Sequence, residues 1–179
     1  ILEQTLIKRH RPRYNVVLKD DKRYPLLRLG MTHAYPRLRI VRKAQKDGSR
    51  YFGPFSSAHA VRQTLKFIDR TFRLRKCRNA EFERRTRPCL HHQMAACLGP
   101  CCLPVARGVY ADMVRHVILF LTGRAPELLR EMNDDMKAAA AEQNYEHAAV
   151  VRDRIAAIER TLERQVVVAK DGADRDVLG

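Results

Sequence analysis

Five cysteines, Cys77, Cys89, Cys97, Cys101 and Cys102, fall within a short stretch of a 179-residue chain, and the segment that holds them, residues 73–107, has no sustained hydrophobic period. A segment without an amphipathic face cannot order itself by burying one. It is rich in Arg, Pro and His, so something other than a core must organise it. No secretory signal precedes it, which makes disulfides a poor explanation. Clustered thiols in such a segment point to a metal site that supplies the missing order. Cys101 and Cys102 are adjacent, and neighbours cannot both reach one metal comfortably, so Cys102 is the spare. The remaining four thiolates, Cys77, Cys89, Cys97 and Cys101, suit tetrahedral zinc and an iron–sulfur cluster equally by spacing. His91 and His92 are substitute ligands.

The charge is divided unevenly. Lys and Arg number 35 against 20 Asp and Glu, a formal net charge of +15. Residues 1–107 carry 25 basic and 7 acidic side chains, and residues 108–179 carry 10 and 13. A basic half joined to a mildly acidic, Ala-rich half predicts two tasks, the first of them binding a polyanion such as nucleic acid. The basic residues group as Lys8, Arg9, Arg11 and Arg13, then Arg37, Arg39, Arg42 and Lys43, then the arginines around the first cysteines. No apolar run reaches the roughly 18 residues that would span a bilayer. A cytoplasmic location is expected.

Periodicity predicts an α+β protein: a small antiparallel sheet, a helix, the cysteine-rich segment and then an all-helical region. Residues 2–10 read as helical. Strands are expected at 14–18, 24–29 and 37–42, the last with Leu38 and Ile40 on one face and Arg39 on the other. Asp47-Gly48 is a tight-turn signal leading into Arg50-Tyr51-Phe52. Ser56 or Ser57 caps a helix running to about Phe72. Helices follow over 108–122, from Pro126 to about Glu142, and from Tyr145 to about Gln165, the last two forming an αα-hairpin. Val166–Val168 reads as a strand-like trio. The acidic residues of the basic half form no metal-binding pair, and no Gly-rich phosphate loop is present, so the residues alone do not describe a complete enzyme.

Three segments, LEQTLIKRHRPRYNVVLKDDKRYPLLRL at 2–29, RYFGPFSSAHAVRQTL at 50–65 and RPCLHHQMAACLGPC at 87–101, closely resemble the UvrC excinuclease family of bacterial nucleotide excision repair. NYEHAAVVRDRIAAIE at 144–159 is similar to that family's UVR motif, and ADRDVLG at 173–179 to the start of the region after it. The resemblance implies a division into the end of a GIY-YIG nuclease domain (1–29), a basic region with the cysteine-rich segment (30–107), a connecting helix (108–125), the UVR hairpin (126–165) and the opening of a further domain (166–179). It implies that Glu3 is the remnant metal-binding glutamate of the GIY-YIG site, where the parent protein holds Mg or Mn. The rest of that site, and the second nuclease site, would lie outside this chain. A fragment of this kind should not cut, although the parent incises damaged double-stranded DNA on both sides of a lesion.

The resemblance also implies a [4Fe–4S] cluster on Cys77, Cys89, Cys97 and Cys101, with zinc as the alternative. It further implies docking on UvrB, a second protein of the same repair system, through Tyr145, Ala148, Ala149, Arg152, Ile155 and Ile158. Other readings are a stand-alone single-incision relative of the same family, or a zinc-stabilised nucleic-acid binder unrelated to repair.

Overall fold

The computed structural model describes residues 24–171, with side chains as far as Glu163. The expected helix at 2–10, the strand at 14–18, Glu3 and the Lys8–Arg13 cluster lie outside the described residues.

Three short strands, β1 (Leu26–Leu29), β2 (Leu38–Val41) and β3 (Arg50–Phe52), form an antiparallel sheet in the order β2-β1-β3. Leu29 pairs with Leu38 and Leu27 with Phe52, so the period-two alternation places these apolar side chains on one face. The Asp47-Gly48 turn closes no two-strand hairpin, because β1 lies between the strands that the turn connects. Ile40 remains 36% exposed although Leu38 is buried. β2 is an edge strand, flanked on one side only, and an edge position leaves such a side chain partly wet.

Asp47 nevertheless fixes its turn. It pairs with Arg28, and its carboxylate accepts the Ser49 amide at 3.1 Å and the Tyr51 hydroxyl at 3.0 Å. Against some desolvation, the Ser49 amide and then Arg28 and Tyr51 hold its pKa down to about 2. A carboxylate depressed in the folded state stabilises it above the ordinary carboxylate range and loses that contribution as pH falls towards 2. Urea unfolding midpoints between pH 6 and pH 2 are therefore expected to fall less in Asp47→Asn than in the parent chain.

Helix α1 (Ala58–Phe72) starts where the Ser57 side chain accepts the Ala60 amide at 3.0 Å. It lays Val61, Ile68 and Phe72 against the sheet. Arg73, in the left-handed region at φ 51°, turns the chain out of the helix. Two short helices, α2 (Asn79–Arg84) and α3 (Leu90–Gln93), interrupt the otherwise irregular cysteine segment.

Helix α4 (Arg107–Leu121) then returns across the core, burying Tyr110, Val114, Val117 and Leu119. Gly123, at φ 75°, separates it from α5 (Ala125–Ala141), which has Pro126 in its first turn. The hairpin turns at Gln143, φ 60°, and the Asn144 side chain accepts the His147 amide at 3.2 Å to open α6 (Tyr145–Asp171). Helix α6 runs through Val166–Val168, which corrects the strand expected there. A helix already nucleated extends one hydrogen bond at a time, and a local β-branched trio does not stop it. A single buried cluster runs from Leu27 and Phe72 through Tyr110 and Leu128 to Val151, Ile155 and Ile158, so the hairpin shares the core of the sheet.

Candidate functional site

The cysteine segment is attached to the core at three points. The Leu98 amide donates to the Arg73 carbonyl at 3.1 Å, which lays the chain at Cys97 beside the end of α1. The wholly buried Tyr110 accepts the Arg75 amide at 3.0 Å and donates its hydroxyl to the Pro36 carbonyl at 2.6 Å. Arg37, just before β2, donates to the Cys77 carbonyl at 3.4 Å. The loop before the sheet's edge strand, the cysteine segment and α4 thus meet at Tyr110.

Around that junction the thiols collect. Cys89 begins α3, its carbonyl accepting the His92 and Gln93 amides. Cys97 is buried and its sulfur accepts the Gly99 amide at 3.4 Å. Gly99, at φ +74°, leaves no room for a side chain: a Cβ there would stand 2.9 Å from His92 Nδ1 and 3.1 Å from Leu103 Cδ1. His92 Nδ1 lies 3.1 Å from the Cys97 carbonyl and so props the same turn. Cys101 Sγ is 3.8 Å from Cys102 Sγ, and Cys102 Sγ is 3.7 Å from the Gly99 carbonyl.

Burial pushes the Cys97 thiol up, with Cys89 and Cys77 adding to the shift. Burial, then Cys102 and Cys77, raise Cys101 to about 11. Each thiol therefore lies within the electrostatic reach of others in the set. Among the described residues no three His, Cys, Asp or Glu side chains converge closely enough to hold a metal ion. The cysteines suit a soft metal by donor chemistry, but they are not drawn together into a coordination sphere.

The outer face of the sheet is basic. Arg39, Arg28 and Tyr51 stand side by side in register across the three strands. Arg39, Arg42 and Lys43 are exposed, whereas Arg37 is half-buried and turned to the Cys77 carbonyl. Tyr51 and Phe55 are half-covered, Phe52 is buried, and Phe55 packs against the core.

At the other end of the molecule the hairpin residues divide into two sets. Ile155 and Ile158 are buried with Val151 in the chain's own core, so they are already covered. Tyr145 is 67% exposed, Val150 and Arg152 are exposed, and Ala148 and Ala149 are half-buried. Val150 carries no signal in the 3.6-residue stripe that picks out Val151, and only the three-dimensional packing brings it out.

A family model described as the UvrC/Cho excinuclease middle domain matches residues 24–120, more than half of the chain. The chain belongs to the UvrC family. A second model, the UvrB/uvrC motif, matches residues 126–161, the α5–α6 hairpin. The UvrABC system protein C of Desulfatibacillum aliphaticivorans is 56% identical over all of this chain, which covers 30% of that relative. The proteins of the same name from Desulforapulum autotrophicum and Nitratidesulfovibrio vulgaris are each 53% identical, with 29% and 26% of their lengths covered. The chain thus spans about a third or less of the UvrC relatives it matches. No solved structure matches it. Among the described residues no helix is long and apolar enough to cross a membrane.

Proposed function

We propose that this chain is the part of a UvrC-type repair protein that joins DNA to UvrB, within a whole protein that incises damaged DNA on both sides of a lesion. The observation that carries this reading is the α5–α6 hairpin. It coincides with the UvrB/uvrC motif and leaves Tyr145 and Val150 uncovered at its turn while its inward stripe is already packed. A like hairpin on UvrB would cover that apolar end, with Arg152 at its polar rim. The hairpin also speaks for UvrC itself over the single-incision relative.

The basic sheet face serves the second task. Arg39, Arg42 and Lys43 are free of the core and can meet phosphates, and each phosphate neutralised releases counterions. Reversal of all three to Glu is expected to weaken binding to a lesion-containing duplex. The slope of log affinity against log salt should flatten by about 2 to 3, close to one per lost phosphate contact. An unchanged slope would remove the sheet face from the DNA path. Arg37 is unsuited to this test, because its side chain supports the cysteine segment.

The third element is a [4Fe–4S] cluster on Cys77, Cys89, Cys97 and Cys101, with zinc as the alternative. Cys77 acts on both Cys97 and Cys101, and Cys89 on Cys97, in a segment with little other packing, and this supports it. Such a cluster would tie four points of an irregular loop together and add a redox-active centre. The protein's own part is to hold the loop near that arrangement: Gly99 makes the turn, the Gly99 amide meets the Cys97 sulfur, and Tyr110 pins Arg75.

A further inference from the structure

Helix α3 carries two large apolar side chains that the fold leaves wet. Leu90 and Met94 are 65% and 66% exposed, and the Met94 amide donates to the Leu90 carbonyl at 2.9 Å, so the pair stands one turn apart on one face. The helix is held from its other side. His92 is turned to the Cys97 carbonyl at 3.1 Å, and the Leu98 amide ties the chain that follows to the end of α1. Single apolar residues scattered over a surface are ordinary, whereas a stacked pair on one short helix marks a contact.

The surroundings of the pair are cationic. Arg78, Arg84 and Arg87 are exposed, and Arg87 lies three residues before Leu90. The ion pairs among the described residues engage Arg28, Lys76, Arg115, Arg124 and Arg152, and none of these three. Helix α2, which Arg78 precedes and Arg84 ends, is fastened beside the edge strand. The Phe82 ring centroid stands 5.0 Å from that of His33 and 5.7 Å from that of Tyr35, both in the loop before β2. Burial, then Arg39, and further Arg75 and Arg78, push the Arg37 guanidinium down from its ordinary pKa, so the cations of β2 and α2 share one field. The basic sheet face thus continues into the cysteine segment towards Leu90 and Met94.

We propose that Leu90 and Met94 form an apolar wedge that enters an unstacked base step of DNA while Arg84 and Arg87 hold the flanking phosphates. This rests on the DNA reading given under Proposed function and adds to it a contact of a different kind. Phosphate contacts position a protein without telling a damaged duplex from a sound one. Leu and Met inserted between bases do discriminate, because unstacking costs least where pairing is already broken. DNA supplies both halves of the complement, a negative rim for the arginines and apolar base faces for the pair.

The test measures binding of the whole protein to a fully paired duplex and to one with a mismatch beside 2-aminopurine, whose fluorescence rises when it unstacks. The parent is expected to prefer the mismatched duplex and to raise its fluorescence. Leu90→Ala with Met94→Ala should weaken binding to the mismatched duplex by about tenfold and abolish the rise. The salt slope and the circular dichroism should not change, because both side chains are exposed and uncharged. Arg84→Gln with Arg87→Gln should instead weaken both duplexes alike and flatten the salt slope by about 2. Undiminished preference and an undiminished rise in the double apolar variant overturn the wedge and leave the DNA reading intact. If that variant has instead lost the parent's affinity for phosphatidylglycerol vesicles, the pair faces a lipid surface. A parent protein that binds neither duplex overturns the DNA reading and the wedge together.

Discussion

Tyr110→Ala is expected to lower the unfolding free energy by about 3–5 kcal/mol, the range for removing a buried aromatic side chain. Tyr110 is wholly buried, and its ring meets Tyr35 edge-on at 5.1 Å between centroids. Its hydroxyl joins the Pro36 carbonyl to the Arg75 amide, so one side chain bridges the loop before β2, α4 and the cysteine segment. Against a typical total of about 5–15 kcal/mol, that loss would lower the thermal midpoint by roughly 10 °C in a chain of this size. Tyr110→Phe isolates the hydroxyl. It keeps the ring and leaves a buried carbonyl and amide short of a partner, at a cost of about 1–3 kcal/mol. Denaturant unfolding of the two variants separates packing from bridging. A Tyr110→Ala loss below about 1 kcal/mol would contradict the central placement of this residue.

Gly99→Ala should have the largest effect on the cysteine centre. The residue's φ of +74° costs an L-amino acid about 1–2 kcal/mol, and the added methyl would press on His92 Nδ1 and Leu103. The turn between Cys97 and Cys101 cannot relax without moving at least one thiol. With the cluster proposed above, the expected result is loss of most bound iron per chain while the helical circular dichroism signal persists, because α1, α4, α5 and α6 do not depend on this turn. Gly48→Ala is the control. Gly48 has a similar φ of +69° and nothing within 4 Å of the added atom, so it bears the backbone cost alone and should keep its iron. Equal iron in Gly99→Ala and Gly48→Ala would mean that the turn does not set the cysteine geometry.

Local signals were enough for the elements that carry their own period. Val61, Ile68 and Phe72 announce α1 and Ser57 its start, and the α4–α6 stripes and the turn at Gln143-Asn144 were equally plain in the sequence. Where several elements compete, the sequence was less informative. Leu119 lies off the Tyr110–Val114–Val117 stripe of α4, yet it is buried in the cluster that the helix shares with α1 and the hairpin. Val166–Val168 has strand propensity and sits in a helix, because propensity is weaker than continuation of a formed helix.

The resemblance placed Ile155 and Ile158 on the docking face, but they are packed in the chain's own core, which moves the uncovered surface to Tyr145 and Val150. The cysteines were legible from clustering alone. Leu90 and Met94 were not. In the sequence they are two apolar residues in a strip without a period, and only their exposure on α3 sets them apart.

The link between DNA and UvrB is tested most directly by calorimetric titration of the protein with the isolated C-terminal hairpin of UvrB. One-to-one binding is predicted for the parent chain. Tyr145→Ala should weaken it by about tenfold or more, as expected for an aromatic anchor, with the thermal midpoint unchanged because the ring is exposed. Absence of binding by the parent chain, or equal binding by Tyr145→Ala, would contradict the hairpin's role as the UvrB contact.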